Sequence, residues 1–290
     1  MEKRMRVKKA IEMSVVILFC CICGACQSKG GKLTPERFFD GQMLELGRAI
    51  VKGDTAEIQA AIRSGADPNS CGREGVTPLI FAYAVSKKKA MVTLLQNGAD
   101  PNLRITAPQA PSTMLNQSAM TIIAETKDNE YLKILLDHGG NVDAKDSGNE
   151  PILIKMIYFE PTNYEGMNLL LERGADINAI DSGGQSLLMN LALLADFEHV
   201  YYLLQRGADF RIKDIGGFDI SHDVFNTKIN KEAFPEVYEW QRKCQEFLLA
   251  HGMKDPGPLK PKKKTPEEQA EWLRTYKKAL DADMKRHDGG

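Results

Sequence analysis

The amino-acid sequence predicts an all-α solenoid of about six helix-turn-helix units, joined by β-hairpin-like turns and followed by one further helix. A six-residue phrase returns along the chain as SGADPN at 64–69, NGADPN at 97–102, HGGNVD at 138–143, RGADIN at 173–178 and RGADFR at 206–211. From the second phrase onward, an apolar pair or triplet such as Leu94-Leu95 precedes it. A helix closed by glycine explains this pattern, because glycine takes the left-handed conformation without a β-carbon clash.

The spacing of the repeated glycines indicates where the period is interrupted. The intervals are 33, 41, 35, 33 and 45 residues between Gly65, Gly98, Gly139, Gly174, Gly207 and Gly252. The second interval contains RITAPQAPSTMLN, in which Pro108 and Pro111 preclude a regular helix. Insertions in solenoids form loops on one face, which is often the binding face. The last interval, around SHDVFNTKINKEAFPE, predicts a reshaped terminal cap.

The second unit carries the most specific motif at the start of its first helix. Thr77-Pro78-Leu79-Ile80 with Ala82 is similar to the TPLHxA segment of ankyrin repeats, although no unit carries the histidine of that family. The chain therefore resembles an ankyrin-repeat protein over about residues 41–252. Its units are expected at 41–70, 71–102, 103–143, 144–178, 179–211 and 212–252. A tetratricopeptide array is the alternative, but its period of about 34 residues lacks Gly-Ala-Asp turns.

Composition and charge exclude several classes of protein. Of 290 residues, 43% are hydrophobic and 27% are charged, which is typical of a folded chain and unlike a disordered or collagen-like one. Lys and Arg number 38 against 39 Asp and Glu, so the net charge is -1. Because the chain has no overall basic field, we expect no nucleic-acid partner.

The amino terminus has the pattern of an export signal. Residues 1–13 are rich in lysine and arginine, and the following run Val15–Cys23 carries no charge. This run is shorter than the roughly 20 helical residues that cross a bilayer, so the pattern favours a cleaved signal peptide. Gly24-Ala25-Cys26 resembles the lipobox of bacterial lipoproteins, although Cys23 stands where that family usually has leucine.

The lipoprotein resemblance implies an anchor in the lipid bilayer. It makes residues 1–25 the signal peptide, Cys26 the acylated residue and residues 26–40 a tether. Gln27-Ser28 lack the aspartate that retains many such lipoproteins in the inner membrane, so the implied location is the outer membrane, facing the periplasm. An uncleaved signal anchor remains an alternative. A second alternative is a metal or cluster site formed by three cysteines, Cys20, Cys23 and Cys26.

The carboxyl terminus continues beyond the repeats. Residues 253–266 read as a linker rich in proline and lysine, and residues 267–286 read as a helix. Trp272, Tyr276 and Ala279 fall on one face of that helix, which could dock on the last unit or hold a partner.

The sequence offers no site for chemistry. It contains no nucleophile elbow, phosphate-binding GxxxxGK[ST], dinucleotide glycine triplet, zincin HExxH or EF-hand loop, so no catalytic, cofactor-binding or metal residue is assigned. The recurring aspartates are expected to be turn residues that bond to local backbone N–H groups, namely Asp67, Asp100, Asp176 and Asp209. Cys71 and Cys244 lie several units apart, too far for a disulfide, and are expected to be shielded thiols, Cys71 the more exposed.

The ankyrin resemblance implies a non-enzymatic protein that binds a protein partner through its concave face. The variable positions of that face correspond to Phe81, Val85, Ile122, Ile154, Tyr158, Asn190 and Leu194. These are mostly apolar, and a continuous apolar stripe on a monomer marks a partner site. The 103–117 insertion is expected to take part in binding. Two alternatives remain open: the insertion folds over the stripe, or rotation of the helices buries it.

The two resemblances together suggest narrower roles. Ankyrin-repeat lipoproteins of this kind include immunity proteins that neutralise lipase-type toxins delivered by the type VI secretion system. The alternatives are a scaffold or protective factor for a periplasmic enzyme, an effector that binds host proteins, and an enzyme with an unrecognised site.

Overall fold

The structure is a computed structural model that describes residues 33–159 and 161–257 of the chain. The predicted signal peptide, the acylated Cys26 and the C-terminal helix at 267–286 lie outside the described residues. Most of the predicted 253–266 linker lies outside them as well.

The described chain forms one short helix and then a stack of helix pairs. Helix α1 spans Pro35–Phe38. The pairs are α2 (Gly41–Lys52) with α3 (Thr55–Arg63), α4 (Pro78–Ala84) with α5 (Lys88–Gln96), α6 (Ala119–Ala124) with α7 (Asn129–Asp137), α8 (Ile152–Lys155) with α9 (Tyr164–Glu172), α10 (Leu187–Leu193) with α11 (Phe197–Gln205), and α12 (Ser221–Asn226) with α13 (Pro235–Ala250). Short 3₁₀ turns at Arg73–Gly75 and Met156–Tyr158 complete the elements. The predicted all-α solenoid of six units is confirmed.

The turns between units are hairpin-like loops rather than strands. Among the described residues, the β-type pairing is confined to two isolated bridges, Lys145 with Pro151 and Ile180 with Ser186. We call the stretches 72–76, 146–150, 181–185 and 214–218 the inter-unit loops. In each of them the first residue donates its backbone N–H to the carbonyl oxygen of the last, at 2.9 to 3.0 Å.

Local side-chain bonds fix where the helices begin. Thr77, Ser118 and Ser186 each accept a backbone N–H from the first turn of α4, α6 and α10. Before the second helices, Asp or Asn side chains do the same at Asp54, Asp128, Asn163 and Asp196. Such caps satisfy backbone donors that have no partner inside the helix.

The repeated glycines end the second helices, as predicted. Gly65, Gly98, Gly139, Gly174, Gly207 and Gly252 all have φ between +86° and +104°. A β-carbon on Gly174 would meet no atom within 4 Å, so the requirement for glycine there comes from the left-handed backbone and not from crowding.

The predicted turn aspartates are confirmed, and the asparagines of the same phrase link the units. Asp67 accepts the N–H of Asn69 at 2.8 Å. The same bond recurs at Asp100, Asp176 and Asp209. Asn69 also donates to the carbonyl oxygen of Gly98 in the next unit and accepts the N–H of Asp100, at 2.8 and 2.7 Å. The repeated phrase therefore forms a hydrogen-bonded ladder along the stack.

The N-terminal segment corrects the predicted tether. Residues 34–40, placed in the 26–40 tether, include α1 and pack on the stack, with Phe38 and Phe39 only 1% and 2% exposed. Their aromatic rings contact the ring of Phe81 on α4. The folded domain therefore begins before residue 41, because these two side chains are part of its core.

The 103–117 insertion is a closed loop without a helix. Ile105 donates its N–H to Gln117 O at 2.8 Å and accepts the N–H of Asn116 at 2.9 Å, which joins the two ends of the loop. Its buried apolar side chains are Ile105, Ala110 and Met114. They approach Gly75 in the preceding inter-unit loop so closely that a β-carbon there would lie 2.8 Å from Ala110 and 2.9 Å from Ile105. The insertion is therefore packed onto the second unit.

The last unit ends the stack with a long helix. Helix α13 has 16 residues, whereas α11 before it has 9, and the segment between α12 and α13 contains the predicted extra residues. Cys244 of α13 is fully buried and donates its thiol to Phe197 O at 3.3 Å, and Cys71 is half-buried. Neither is disulfide-bonded, as expected. Within the described ranges, no helix has the length and apolar composition needed to cross a bilayer.

Candidate protein-binding surface

The first helices of the units and the inter-unit loops beside them form the face that the sequence analysis assigned to a partner. We call it the inner face. One position recurs on it in the second to fifth units, four residues after the residue that precedes the first helix. This position holds Phe81, Ile122, Lys155 and Asn190 in successive units. Over these four units the position therefore changes from apolar to polar, and in the last unit it is again apolar, at Val224.

Four of the seven predicted contact residues are wrong, because their side chains are buried. Phe81, Ile122, Ile154 and Asn190 are at most 2% exposed. Phe81 lies beneath Phe38 and Phe39, with ring centroids 5.8 and 5.3 Å away. Every residue of α6 is buried, including Ile122. The apolar stripe at these positions is thus core rather than surface.

The other three predicted residues remain accessible. Val85, Tyr158 and Leu194 are half-buried, each near the end of its first helix. Tyr158 lies beside the polar part of the inner face, so it is the predicted residue that best fits a contact role.

Lys155 lies between two buried carboxylates. Its Nζ is 2.5 Å from Glu125 Oε1 and also binds Asp146 Oδ2. Burial lowers the pKa of the Lys155 ammonium, but the two carboxylates outweigh that effect and the net shift is upward. Burial raises the pKa of Glu125, and Lys155 offsets this only in part. The cluster joins the third unit, which carries Glu125, to the fourth.

A second network repeats this arrangement one unit further on. The Tyr158 hydroxyl donates to Asn190 Oδ1, and Asn190 Nδ2 donates to Asp181 Oδ2 at 2.9 Å. Burial and the nearby carboxylates of Asp181 and Glu150 raise the pKa of Tyr158 to about 12. The phenol therefore stays protonated at neutral pH and remains a hydrogen-bond donor.

A cavity of about 310 Å³ opens between the two networks. Its charged lining residues are Glu150, Lys155 and Asp181, and its apolar wall includes Ile154. Glu125 and Asp146 bind Lys155 but do not line the cleft, whose own lining has two carboxylates against one ammonium. We call it the acidic cleft. Its excess of carboxylates favours a cationic side chain over an anion or an apolar group.

Exposed apolar side chains lie next to the acidic cleft. Ile215 is 88% exposed and Phe218 is 45% exposed, both on the last inter-unit loop. The N–H of Ile215 donates to Gly183 O at 3.1 Å, and Gly183 lines the cleft. An isoleucine so fully exposed contributes nothing to the core and leaves an apolar group available to a partner.

The sequence analysis missed the residues that make this part of the surface. Lys155 and Ile215 are not among the predicted contact residues, because the resemblance points mainly to apolar positions of the first helices. A signal was present in the loop phrases DSGNE, DSGGQ and DIGGF, which begin at Asp146, Asp181 and Asp214. Aligning them places Ile215 where the other two loops carry serine.

Comparison with known proteins identifies the fold. Residues 83–181 match the family model of ankyrin repeats in three copies. The crystal structure of the ankyrin repeat domain of Bcl-3, a member of the IkappaB protein family, is similar with a TM-score of 0.54 and 22% identity, over 72% of this chain and 86% of that one. The ankyrin repeat protein EF0377 has a TM-score of 0.51 and 21% identity, over 71% of this chain and 96% of that one.

A bacterial domain gives the same result. An ankyrin repeat domain from Acinetobacter baumannii AYE has a TM-score of 0.51 and 20% identity, over 71% of this chain and 97% of that one. No curated protein matches the chain. The chain therefore has the ankyrin-repeat fold. Ankyrin repeats are typically non-enzymatic scaffolds for protein–protein interaction, which makes protein binding the general function that the fold indicates.

Among residues 33–159 and 161–257, no three His, Cys, Asp or Glu side chains are grouped so that they could hold a metal ion.

Proposed function

We propose that this chain is a membrane-tethered protein-binding module that holds its partner with the acidic cleft and the last inter-unit loop. The observation that carries the proposal is the juxtaposition of an exposed apolar pair, Ile215 and Phe218, with a cleft lined by two carboxylates and one ammonium. A partner presenting a basic side chain beside an apolar group would satisfy both features.

The energetics of interfaces support this choice of surface. Apolar side chains at the centre of an interface supply most of the affinity, whereas complementary charges set orientation and specificity. Ile215 would supply affinity, and the carboxylates beside Lys155 would set orientation and specificity. The N-terminal part of the inner face lacks such groups, because Phe81 there is covered.

A site-specific photo-crosslinker at position 215 tests the surface in living cells. We expect one partner to be crosslinked from Ile215 and not from Lys133, an exposed residue on the second helix α7. Glu150→Lys should reduce the crosslink several-fold, because it reverses a charge in the cleft, whereas Lys133→Glu should leave it unchanged. Equal crosslinking from both positions would contradict the proposal.

The lipid anchor is a separate part of the proposal and rests on the amino-terminal sequence. Cys26→Ser should abolish incorporation of labelled palmitate and leave the precursor unprocessed. If the variant is labelled as well as the parent, acylation occurs elsewhere and Cys26 is not the anchor. Gln27→Asp should move the protein from the outer- to the inner-membrane fraction, because aspartate at that position retains many lipoproteins.

The narrower proposal is that the module is an immunity protein against a secreted lipase-type toxin. An anchor on the periplasmic side would place the inhibitor at the membrane that such a toxin attacks. Cells that make the chain should survive a periplasmic lipase toxin encoded beside it, and Ile215→Asp should remove that protection. A crosslinked partner that is an endogenous enzyme, still active in the complex, would favour the scaffold role instead.

The 103–117 insertion is proposed as a secondary contact. Its tip presents exposed residues, including Pro108 and Gln109, while its buried residues hold it on the second unit. Substituting Gln109 therefore tests binding without disturbing the core, whereas removing the segment would also remove Ile105.

A further inference from the structure

A second cavity lies away from the acidic cleft, where the turns between the first and second helices of the first three units meet. It has a volume of about 560 Å³. Its lining includes four lysines, one carboxylate and one tyrosine, namely Lys52, Lys87, Lys88, Lys89, Asp128 and Tyr131. The proposed function uses none of these residues.

The first turn of α5 supplies backbone donors to this cavity. Helix α5 has nine residues, and Lys87 before it makes no capping bond. The first N–H to bond within the helix is that of Met91, which donates to Lys87 O at 3.0 Å. The N–H groups of Lys88, Lys89 and Ala90, all in the cavity wall, form no hydrogen bond to another described residue. A helix start with free N–H groups attracts an anion.

The charges around the cavity leave two lysines available. Lys52 is paired with Glu57 at 2.7 Å, and Lys88 is paired with Glu130. Lys87 and Lys89 have no carboxylate partner among the described residues. The lining carboxylate, Asp128, is engaged at its own helix, where it accepts the N–H of Tyr131 at 3.4 Å.

Tyr131 gives an independent indication of a ligand. The side chain is only 3% exposed, yet its hydroxyl has no hydrogen-bond partner among the described residues. The ring is held edge-on against Tyr83, with centroids 4.9 Å apart, and the Lys88 ammonium lies 5.4 Å from its centroid. Buried hydroxyls in folded proteins are normally hydrogen-bonded. A donor of this kind, in the wall of a lysine-lined cavity, lacks an acceptor.

We propose that this cavity binds the phosphate group of a small ligand. Backbone N–H groups and lysine ammonium groups line it, and Tyr131 in its wall carries a buried hydroxyl without a partner among the described residues. A tetrahedral anion with several oxygens can accept from all three at once, and lysine at a helix start is a common phosphate ligand. The phosphate could come from inorganic phosphate or from the headgroup of a phospholipid.

The test is calorimetric titration of the full chain, with Cys26→Ser in every variant so that acylation does not interfere. The two probes are inorganic phosphate and glycerophosphoglycerol, the soluble headgroup of phosphatidylglycerol. Tighter binding of the second assigns the site to a lipid headgroup, and tighter binding of the first assigns it to free phosphate. Binding of neither probe would overturn the proposal.

The variant Lys87→Asp separates the site from the fold. We expect at least tenfold weaker phosphate binding, because a carboxylate replaces an ammonium at the cavity. The melting temperature should nevertheless rise, because aspartate caps α5 as it caps α3, α7 and α11. Lys133→Asp makes the same charge change at an exposed position outside the cavity and should bind like the parent. If Lys87→Asp and Lys133→Asp weaken phosphate binding equally, net charge alone explains the effect, and the assignment of the site is overturned.

Tyr131→Phe tests the unpartnered hydroxyl. We expect several-fold weaker phosphate binding with an unchanged melting temperature, since the ring keeps its packing and the hydroxyl has no partner to lose. Unchanged affinity would show that Tyr131 does not contact the anion and would overturn its place in the site.

Discussion

The two parts of the inner face place opposite chemistry at one helical position. In the N-terminal part, Phe81 is covered by the rings of Phe38 and Phe39. In the C-terminal part, Lys155 and Asn190 hold polar networks that border an open cleft. The repeat therefore fixes the backbone geometry at this position, whereas the neighbouring residues decide which contacts its side chain makes. In the second unit the covering segment adds the position to an aromatic core, whereas in the fourth and fifth units the position joins a polar network beside the cleft.

The largest effect is expected from breaking the N-terminal part. Phe81→Ala removes a fully buried ring and should cost about 3–5 kcal/mol in the free energy of unfolding. Val85→Ala, a half-buried position on the inner face, is the control and should cost far less. Urea titration measures both. Similar losses would mean that the aromatic cluster contributes little.

The helices that are destabilised by Phe81→Ala should lie in the N-terminal part alone. Because units of a solenoid contact mainly their neighbours, hydrogen exchange in Phe81→Ala should accelerate in α1, α2 and α4 and stay slow in α11 and α13. Uniform acceleration would show that the two parts unfold as one cooperative block.

The corresponding change in the C-terminal part is Lys155→Met. It leaves the carboxylates of Glu125 and Asp146 buried without their cation and should cost about 3 kcal/mol at pH 7. The cost should shrink toward pH 4, because the pKa of Glu125 is already raised and its neutral form suits burial. Adding Glu125→Gln should recover part of the loss. If Glu125→Gln restores none of the lost unfolding free energy, the unpaired carboxylates are not the cause of the loss.

Alkaline pH should weaken the second network of the same part. The pKa of Tyr158 is raised from 10.0 to about 12, so the protonated phenol is favoured by folding. Its contribution is complete below pH 10 and is lost as the pH rises toward 12. The difference in unfolding free energy between the parent and Tyr158→Phe should therefore narrow over this range. A constant difference would contradict the predicted titration.

Glycine substitutions at left-handed turn residues should change the stability of both parts by similar amounts, because the units share one backbone geometry. Ser86 and Ala195 have φ of +56° and +60° and occupy the same turn in two units. Replacing either by glycine should stabilise the protein by about 1 kcal/mol, since the left-handed conformation disfavours a β-carbon. Ala192→Gly, within helix α10, should destabilise instead. Gains that differ widely between the two positions would show that side-chain context matters more than the backbone.

The smallest expected effect is at the junction of the two parts. Asn69 and Asn102 each donate to a glycine carbonyl of the next unit at 2.8 Å, whereas Asp143 only accepts, from Asp176 N. Asp143→Asn should add the missing donor and stabilise by about 0.5–1 kcal/mol. Thermal melting measures the change. A lower melting temperature would show that a donor at position 143 does not stabilise the stack.

The sequence was most informative where structure is local. The glycine ends, the turn aspartates and the six units were predicted correctly, because each depends on residues a few positions apart and is repeated. It was least informative about burial. Phe81 and Ile122 sit at positions that a partner would use in a bare stack, and their sequence neighbourhood gives no sign of what covers them.

The sequence by itself determined the period, the helix ends and the turn aspartates, since short-range hydrogen bonds and a left-handed glycine suffice for these. Only the tertiary structure decided which part of the inner face is open. Phe38 and Phe39 reach Phe81 from some forty residues away, and Lys155 finds its carboxylates on two different units. Contacts of this kind depend on how the units stack, because packing brings together side chains that no short stretch of sequence places side by side.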